Sequence, residues 1–109
     1  NETDIVYDLG SGDGRIPITT ALLFHARAVG IEIDKLRYLY SQYKRFILRL
    51  GDKVTFLNKN IFEVNLSEAT VVVMYLLQET NEALTEKLLT ELKPGTIILT
   101  KNFHQGPLP

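Results

Sequence analysis

The chain has 109 residues, a formal net charge of −1 at pH 7 and no cysteine. Its length suggests one domain, and contents of 45% hydrophobic and 23% charged residues are typical of a folded chain. The near-zero charge excludes a broad electrostatic surface for nucleic acid or an anionic membrane, but it leaves room for a small local patch. The longest apolar run, 71–77, is too short to span a bilayer, so no membrane partner is expected. Without cysteine, disulfide scaffolds, thiolate metal sites and cysteine nucleophiles are excluded, and a cytoplasmic location is expected.

Short apolar runs alternate with stretches of helical period along the chain. Strands are predicted at 4–9, 28–33, 54–57, 69–77 and 96–100, and helices at 16–24, 36–50 and 80–92. Proline is tolerated only in the first helical turn, so Pro17 requires the first helix to begin near Gly14 or Arg15. The run 69–77 is apolar on both faces and should lie centrally. This alternation predicts right-handed crossovers and an α/β fold with a doubly wound, mostly parallel sheet.

Two residues are expected to end helices in left-handed backbone geometry. Gly51 follows the second predicted helix, whose apolar residues recur at amphipathic spacing: Leu36, Leu39, Tyr43, Phe46 or Ile47, and Leu50. His25 follows the first helix, and histidine is among the residues that tolerate positive φ. We therefore interpret His25 as a helix cap rather than a catalyst.

The most informative segment is the loop after the first predicted strand, Asp8-Leu9-Gly10-Ser11-Gly12-Asp13-Gly14-Arg15. Glycines let the backbone turn sharply and approach a ligand closely, and the following helix N-terminus offers free N–H groups. The spacing departs from the dinucleotide fingerprint G-x-G-x-x-G, because Arg15 stands where the third glycine is needed. No Gly-Lys-Ser/Thr follows for a phosphate-binding P-loop either. Since such sheets bind ligands at the carboxyl ends of their strands, the loop predicts a ligand site there.

Glu32 lies at the end of the second predicted strand, 18 positions after Gly14. A carboxylate there can accept hydrogen bonds from both hydroxyls of a ribose. The alternative is a solvated strand end, which the preceding glycine loop makes the weaker interpretation.

These residues resemble the class I S-adenosylmethionine-dependent methyltransferases. Four segments match that family in order and spacing: the D-x-G-x-G-x-G loop, Val29-Gly30-Ile31-Glu32-Ile33-Asp34, Asn60-Ile61-Phe62-Glu63 and Leu92-Lys93-Pro94-Gly95. Three others are more narrowly similar to the small archaeal and bacterial protein-lysine methyltransferases of broad specificity: 6–16, 66–72 and Tyr75-Leu76-Leu77. The resemblance extends over nearly the whole chain. It implies a Rossmann-like fold with S-adenosylmethionine as the cofactor.

The resemblance also implies which residues bind that cofactor. Asp8 and the loop residues would surround its methionine part, the loop residues being Gly10, Ser11, Gly12 and Gly14. Glu32 would hold the ribose hydroxyls, and Ile33 would pack on the adenine ring. Asn60 stands where the family often has Asp, facing the adenine amino group, and its amide has one acceptor oxygen where a carboxylate has two. Ile61 would donate its backbone N–H to the adenine edge.

Tyr75, Leu76 and Leu77 are implied to face the methyl group that is transferred. Methyltransferases that act on base exocyclic amines or on amides typically carry Asp/Asn-Pro-Pro-Tyr/Phe at this place, and its absence argues against that chemistry. Tyr75 would offer an aromatic wall to a lysine and to the cationic sulfonium. The alternative is a tyrosine that only anchors the strand end. No dedicated base is assigned, and two separated histidines give no metal site.

The leading function is methyl transfer to protein lysines by in-line displacement, which proximity and desolvation accelerate. The partner is then a protein with accessible lysines, and nucleic acid is not favoured. The alternatives are RNA methylation, small-molecule methylation, or a cofactor-binding module that needs a partner. Because the family fold has seven strands and usually a helix before the first, we expect residues 1–109 to be a single-domain fragment. It would lack that helix and the last two strands.

Overall fold

The computed structural model describes residues 2–76 and 82–102, with the backbone alone for residues 75, 76, 101 and 102. Its strands are β1 Ile5–Leu9, β2 Arg27–Ile31, β3 Val54–Leu57, β4 Val71–Leu76 and β5 Ile97–Asn102. Its α-helices are α1 Arg15–Phe24, α2 Lys35–Ile47 and α3 Glu82–Glu91, and short 3₁₀ turns lie at Gly51–Lys53 and Ile61–Glu63. Among these residues no helix combines the length and apolar character needed to cross a bilayer.

The strands form one sheet in the order β3-β2-β1-β4-β5, and every neighbouring pair is parallel. The chain steps from β1 to β3 toward one edge and from β4 to β5 toward the other. Right-handed crossovers therefore place α1 and α2 on one face and α3 on the opposite face. The predicted doubly wound parallel sheet is confirmed, and β4 lies inside it between β1 and β5.

Two apolar clusters hold the layers together. One lies between the sheet and α3 and includes the fully buried Ile31, Leu66 and Val72. The other lies between the sheet and α1, where Ile18 packs with Phe56 of β3. Because both faces are covered, the strands read as nearly continuous apolar runs.

The first helix begins and ends where the sequence predicts. It starts at Arg15, which places Pro17 in the first turn, and His25 caps its end with φ 55°. The second strand ends at Ile31 rather than at 33, because Asp34 begins α2. Its carboxylate accepts hydrogen bonds from Leu36 N at 2.9 Å and Arg37 N at 3.1 Å.

The end of α2 differs from the prediction. Gly51 has the expected left-handed geometry, with φ 55°, but the helix ends four residues earlier at Ile47. Arg49 takes the left-handed position, also with φ 55°. Arg49 N donates to Phe46 O and Leu50 N donates to Arg45 O, which closes the helix as a Schellman motif.

The remaining elements shift by a few residues at their ends. The fourth strand begins at Val71 rather than 69, and the fifth extends over Ile97–Asn102 rather than 96–100. The predicted residue 77 of β4 and the predicted helix start at 80 lie outside the described residues. From Glu82 onward α3 follows the predicted helix, with Leu84 and Leu88 buried.

The carboxylate of Glu91 fastens α3 to the segment before β4. Its Oε1 accepts a hydrogen bond from Leu66 N at 2.8 Å, and its Oε2 pairs with Lys87 Nζ at 2.6 Å. The Lys87 ammonium and the Leu66 N–H both favour the ionised carboxylate and hold the pKa of Glu91 below its ordinary value.

We expect Glu91→Gln to lower the free energy of unfolding by about 1 kcal/mol at neutral pH. A lowered carboxyl pKa stabilises the fold above the ordinary glutamate pKa of about 4.3, and this contribution is lost as the pH falls through the folded-state value. The difference between variant and parent should therefore shrink in acid. Urea denaturation at neutral and acidic pH measures it, with the exposed Glu86→Gln as control; a difference independent of pH would contradict the assignment.

Candidate functional site

The glycine loop between β1 and α1 folds over the end of β2. Gly10 N and Ser11 N both donate to Ile31 O, at 2.8 and 3.0 Å. Gly10 and Gly12 have φ of 85° and 58°, a region that disfavours side chains. A Cβ placed at either would meet no atom within 4 Å. Glycine is therefore required at these two positions by backbone geometry, and the space in front of them is open.

A second pair of glycines is required by close packing. A Cβ at Gly14 would lie 2.8 Å from both Phe56 Cζ and Ser41 Oγ. A Cβ at Gly30, in β2, would lie 2.8 Å from Phe56 Cδ1 and 2.9 Å from Ser11 Cβ. The loop thus rests directly on the Phe56 ring, and Gly14, predicted to bind the cofactor, packs against protein atoms.

The buried Glu32 carboxylate joins the loop to α2. Its Oε1 accepts from Gly12 N at 2.7 Å, and its Oε2 accepts from Asp34 N at 3.0 Å. Each carboxylate oxygen can accept a further hydrogen bond. Glu32 therefore orders the loop and the start of α2 while keeping acceptor capacity for ligand hydroxyls.

Ser41 is a second fastening that the sequence did not predict. It is fully buried in α2, and its hydroxyl lies 3.2 Å from Gly12 O and 3.0 Å from Arg37 O. Gly12 is thus held through its N–H by Glu32 and through its carbonyl by Ser41. The available signal was a small polar residue at the inward position of an amphipathic helix.

Two polar groups lie beneath the loop at the end of β1. Asp8 is buried with only 1% of its surface exposed, and in the parallel register it pairs with Gly30 and Val73. Ser11 is also buried, and within the described part of the chain no hydrogen-bond partner reaches its Oγ. A buried hydroxyl without a protein partner is a ready donor or acceptor for a ligand.

Asp13 adds a negative charge where the loop enters α1. Burial raises the pKa of Asp13, but the Arg15 N–H and the charges of Lys44 and Arg15 outweigh burial, so the pKa lies below its ordinary value. Asp13 Oδ1 accepts from Arg15 N at 3.1 Å. The carboxylate therefore stays ionised beside the first turn of α1, where negative charge is favourable.

A cavity of about 260 Å³ opens beside Glu32 at the carboxyl ends of β1 and β2. It is lined by residues of three segments: Gly10; Ile31, Glu32 and Ile33; and Lys59, Asn60, Ile61 and Phe62. Ile33 remains 66% exposed at this cavity, so its apolar side chain is free to cover a bound group. Sequence reasoning missed Lys59 and Phe62, which flank the Asn60-Ile61 pair that it found.

Asn60 shapes one wall of this cavity by capping a 3₁₀ turn. Its Oδ1 accepts from Phe62 N at 3.0 Å, while Glu63 Oε1 accepts from Asn60 N at 2.9 Å. Ile61 is the first residue of the turn, a position whose N–H has no partner within the helix. The capping box thus presents the Ile61 N–H and commits one lone pair of Asn60 Oδ1 to the turn.

The predicted methyl-facing segment lies at the same edge of the sheet. Met74 pairs with Leu9, so Tyr75 and Leu76 continue β4 past the end of β1, beside the glycine loop. In the backbone register they pair with Lys101 and Asn102 of β5. Leu77 lies outside the described residues.

Comparisons with known proteins agree with this arrangement. Residues 8–108 match the family model of the ANTKMT methyltransferase domain. The chain is 45% identical over 105 residues to a protein-lysine N-methyltransferase of Saccharolobus islandicus (strain REY15A), which covers 95% of this chain and 65% of the relative. It is 31% identical over 109 residues to a lysine N-methyltransferase of Caenorhabditis elegans that is named for a subunit of ATP synthase, covering 100% of this chain and 55% of the relative. The chain thus spans between half and two thirds of the length of these relatives.

Among solved structures, the fold is similar to that of an RNA methyltransferase from Salinibacter ruber in complex with S-adenosyl-L-homocysteine. The TM-score is 0.86 at 44% sequence identity, and the match covers 92% of this chain and 65% of that one. This likeness confirms the predicted Rossmann-like architecture.

We expect Gly30→Ala to lower the free energy of unfolding by about 1–3 kcal/mol, because the new methyl group would overlap Phe56 and Ser11. Thermal and urea denaturation measure the loss. Phe56→Leu alone should also destabilise by leaving a cavity. The double variant should lose less than the sum of the two, because the smaller side chain makes room for the methyl group. Strict additivity would show that Gly30 is not required by this contact.

Proposed function

Because this chain belongs to the ANTKMT methyltransferase domain family, we propose that it transfers a methyl group from S-adenosylmethionine to the side-chain amine of protein lysines. The names of the Saccharolobus and Caenorhabditis relatives support the lysine acceptor. The observation that carries the proposal is the Glu32 carboxylate, buried against the glycine loop and lining the cavity at the ends of β1 and β2.

The residues present fit the adenosine half of that cofactor. The carboxylate of Glu32 has acceptor capacity at the cavity wall for the two ribose hydroxyls. Ile33 is an exposed apolar side chain positioned to pack on a flat ring. Asn60 Oδ1 keeps one lone pair for an amino group, and the Ile61 N–H is directed by its helix start to act as a donor.

The residues around the loop fit the methionine half. Gly10 and Gly12 leave open space in front of the backbone, so a ligand can approach closely. Ser11 Oγ is a buried polar group without a partner among the described residues. Together with the Asp8 carboxylate, these groups would bind a chain that carries both ammonium and carboxylate charges.

S-adenosylmethionine, when bound, supplies an electrophilic methyl group on a positively charged sulfur. The chain's own contribution is placement: Glu32 and the glycine loop fix the donor, and Tyr75 at the end of β4 lies where the acceptor enters. A lysine of ordinary pKa, about 10.4, is charged at neutral pH and must lose a proton before it attacks. Desolvation beside a positive charge lowers that pKa, and the proton passes to water. Proximity then supplies much of the acceleration, since no residue is assigned as a base.

RNA is the second candidate acceptor, on one observation. The Salinibacter ruber protein, described as an RNA methyltransferase, is 44% identical to this chain. Against it, the segment Met74-Tyr75-Leu76-Leu77 lacks the Asp/Asn-Pro-Pro-Tyr/Phe sequence of enzymes that methylate base exocyclic amines. Two further candidates are methylation of a small molecule and cofactor binding by a module that a partner completes.

We expect Glu32→Gln to weaken S-adenosylmethionine binding about tenfold or more, because hydrogen bonds to a charged acceptor contribute about 1.5–3 kcal/mol. Isothermal titration calorimetry measures the affinity, and thermal denaturation checks that the variant is folded. Glu68→Gln removes the same charge from an exposed position in the loop before β4 and should leave affinity unchanged. Equal affinity in Glu32→Gln and the parent would place the cofactor elsewhere.

Methyl transfer itself is tested with the full-length protein and labelled S-adenosylmethionine, offered separately to protein, RNA and metabolite pools. We expect label on protein lysines, located by mass spectrometry. The rate should rise with pH above neutrality, because the neutral amine is the nucleophile. Label on RNA but not on protein would overturn the lysine proposal, and cofactor binding without any transfer would favour the binding module.

A further inference from the structure

Helix α2 turns its apolar side away from the protein. Only Ser41 is buried in it. Its large apolar side chains are instead between 49% and 78% exposed, and five of them form what we call the outer stripe: Leu36, Leu39, Tyr43, Phe46 and Ile47. A helix that covered a core would show the reverse arrangement.

Helical geometry places the outer stripe directly opposite the sheet. Its members recur at three, four and seven residue intervals, which lie on one face at 3.6 residues per turn. Ser41 marks the opposite face, where its hydroxyl meets the glycine loop. The stripe therefore points outward along most of the helix, as a continuous apolar surface rather than scattered residues.

The charges around the stripe are all of one sign. Residues 35–49 contain no acidic residue, although the whole chain has a net charge of −1. They contain five cations: Lys35, Arg37, Lys44, Arg45 and Arg49. One of these, Lys44, lies over the ring of Tyr40, with Nζ 4.9 Å from the ring centroid. An aromatic and aliphatic face flanked by Lys and Arg is the pattern of helices that lie in a membrane interface.

The charge argues against a second copy of this chain as the occupant. Pairing two outer stripes would bring five cations of one α2 against five of the other, with no acidic side chain between 35 and 49 to neutralise them. An anionic surface is the complementary partner, and a fluid acyl-chain boundary accepts a flat stripe without a shaped groove.

We propose that α2 docks on a bilayer that carries anionic phospholipids. The outer stripe enters the boundary between headgroups and acyl chains, and the flanking lysine and arginine side chains extend to the lipid phosphates. With 13 residues the helix lies along the surface and does not cross it. This docking uses no residue of the methyl-transfer site as a ligand and stands independently of the proposed acceptor.

Co-sedimentation of the full-length protein with extruded vesicles tests the proposal. Binding to vesicles of equal phosphatidylcholine and phosphatidylglycerol should exceed binding to pure phosphatidylcholine at least tenfold, and added salt should weaken it. Phe46→Ser should reduce vesicle binding about tenfold. Leu89→Ser is the matched control, because Leu89 on α3 is 78% exposed and Phe46 is 77% exposed.

A charge pair of variants isolates the electrostatic part. Lys35→Glu should reduce binding to anionic vesicles about fivefold, since each cation near the surface contributes a factor of that order. Glutamate is favourable in the first turn of a helix, so α2 itself should persist. Lys93→Glu, in the exposed turn after α3, is the control and should bind as the parent does.

Circular dichroism and melting temperature establish that each variant is folded before binding is compared. Equal binding to neutral and anionic vesicles, or equal losses in Phe46→Ser and Leu89→Ser, would overturn the proposal. So would a full-length protein that binds no vesicles. A concentration-dependent dimer that Phe46→Ser abolishes, seen by analytical ultracentrifugation, would instead assign the stripe to a second copy.

Discussion

The hydrogen bonds of one buried carboxylate connect the parts of this structure on which ligand binding depends. Glu32 follows β2, and its two oxygens accept from Gly12 N and Asp34 N. A buried carboxylate must be satisfied by donors, since an unpartnered charge in the interior is costly. The glycine loop and the first turn of α2 supply those donors, so the loop conformation and the helix start each depend on the other. Ser41 adds a contact to Gly12 O, which fixes the same peptide from the other side.

Packing explains why this carboxylate can reach the loop. Glycines at positions 14 and 30 let Phe56 lie against both the loop and β2, where any side chain would come within 3 Å of the ring. The absent Cβ atoms bring the ends of β1 and β2 close enough for Gly10 and Ser11 to bond to Ile31 O. The cavity beside Glu32 therefore follows from apolar packing beneath the loop as much as from the polar groups that line it.

Local chemistry determined which features were predictable from the sequence. Pro17 limited where α1 begins, and the glycine spacing located the loop, because each acts through its own backbone. The side-chain contacts of Glu32 and Ser41 with Gly12 join residues 20 and 29 positions apart, and only the folded chain brings them together. Periodicity likewise predicted an amphipathic α2 but not its orientation. Its period fixes the width of the apolar face, whereas the contact of Ser41 with the loop decides that this face points outward.

The division between cofactor binding and acceptor choice also has a physical basis in this sheet. Two relatives of nearly equal identity, 45% and 44%, are described as acting on protein lysine and on RNA respectively. Glu32, the glycine loop and the Asn60 turn address a donor that would be the same for either acceptor, so these residues cannot distinguish the two. Discrimination must arise where the acceptor enters, around the ends of β4 and β5 beyond Met74, whose register with Leu9 places those strand ends beside the loop. Changes there can alter the acceptor while the Glu32 contacts, and with them the cofactor site, stay as they are.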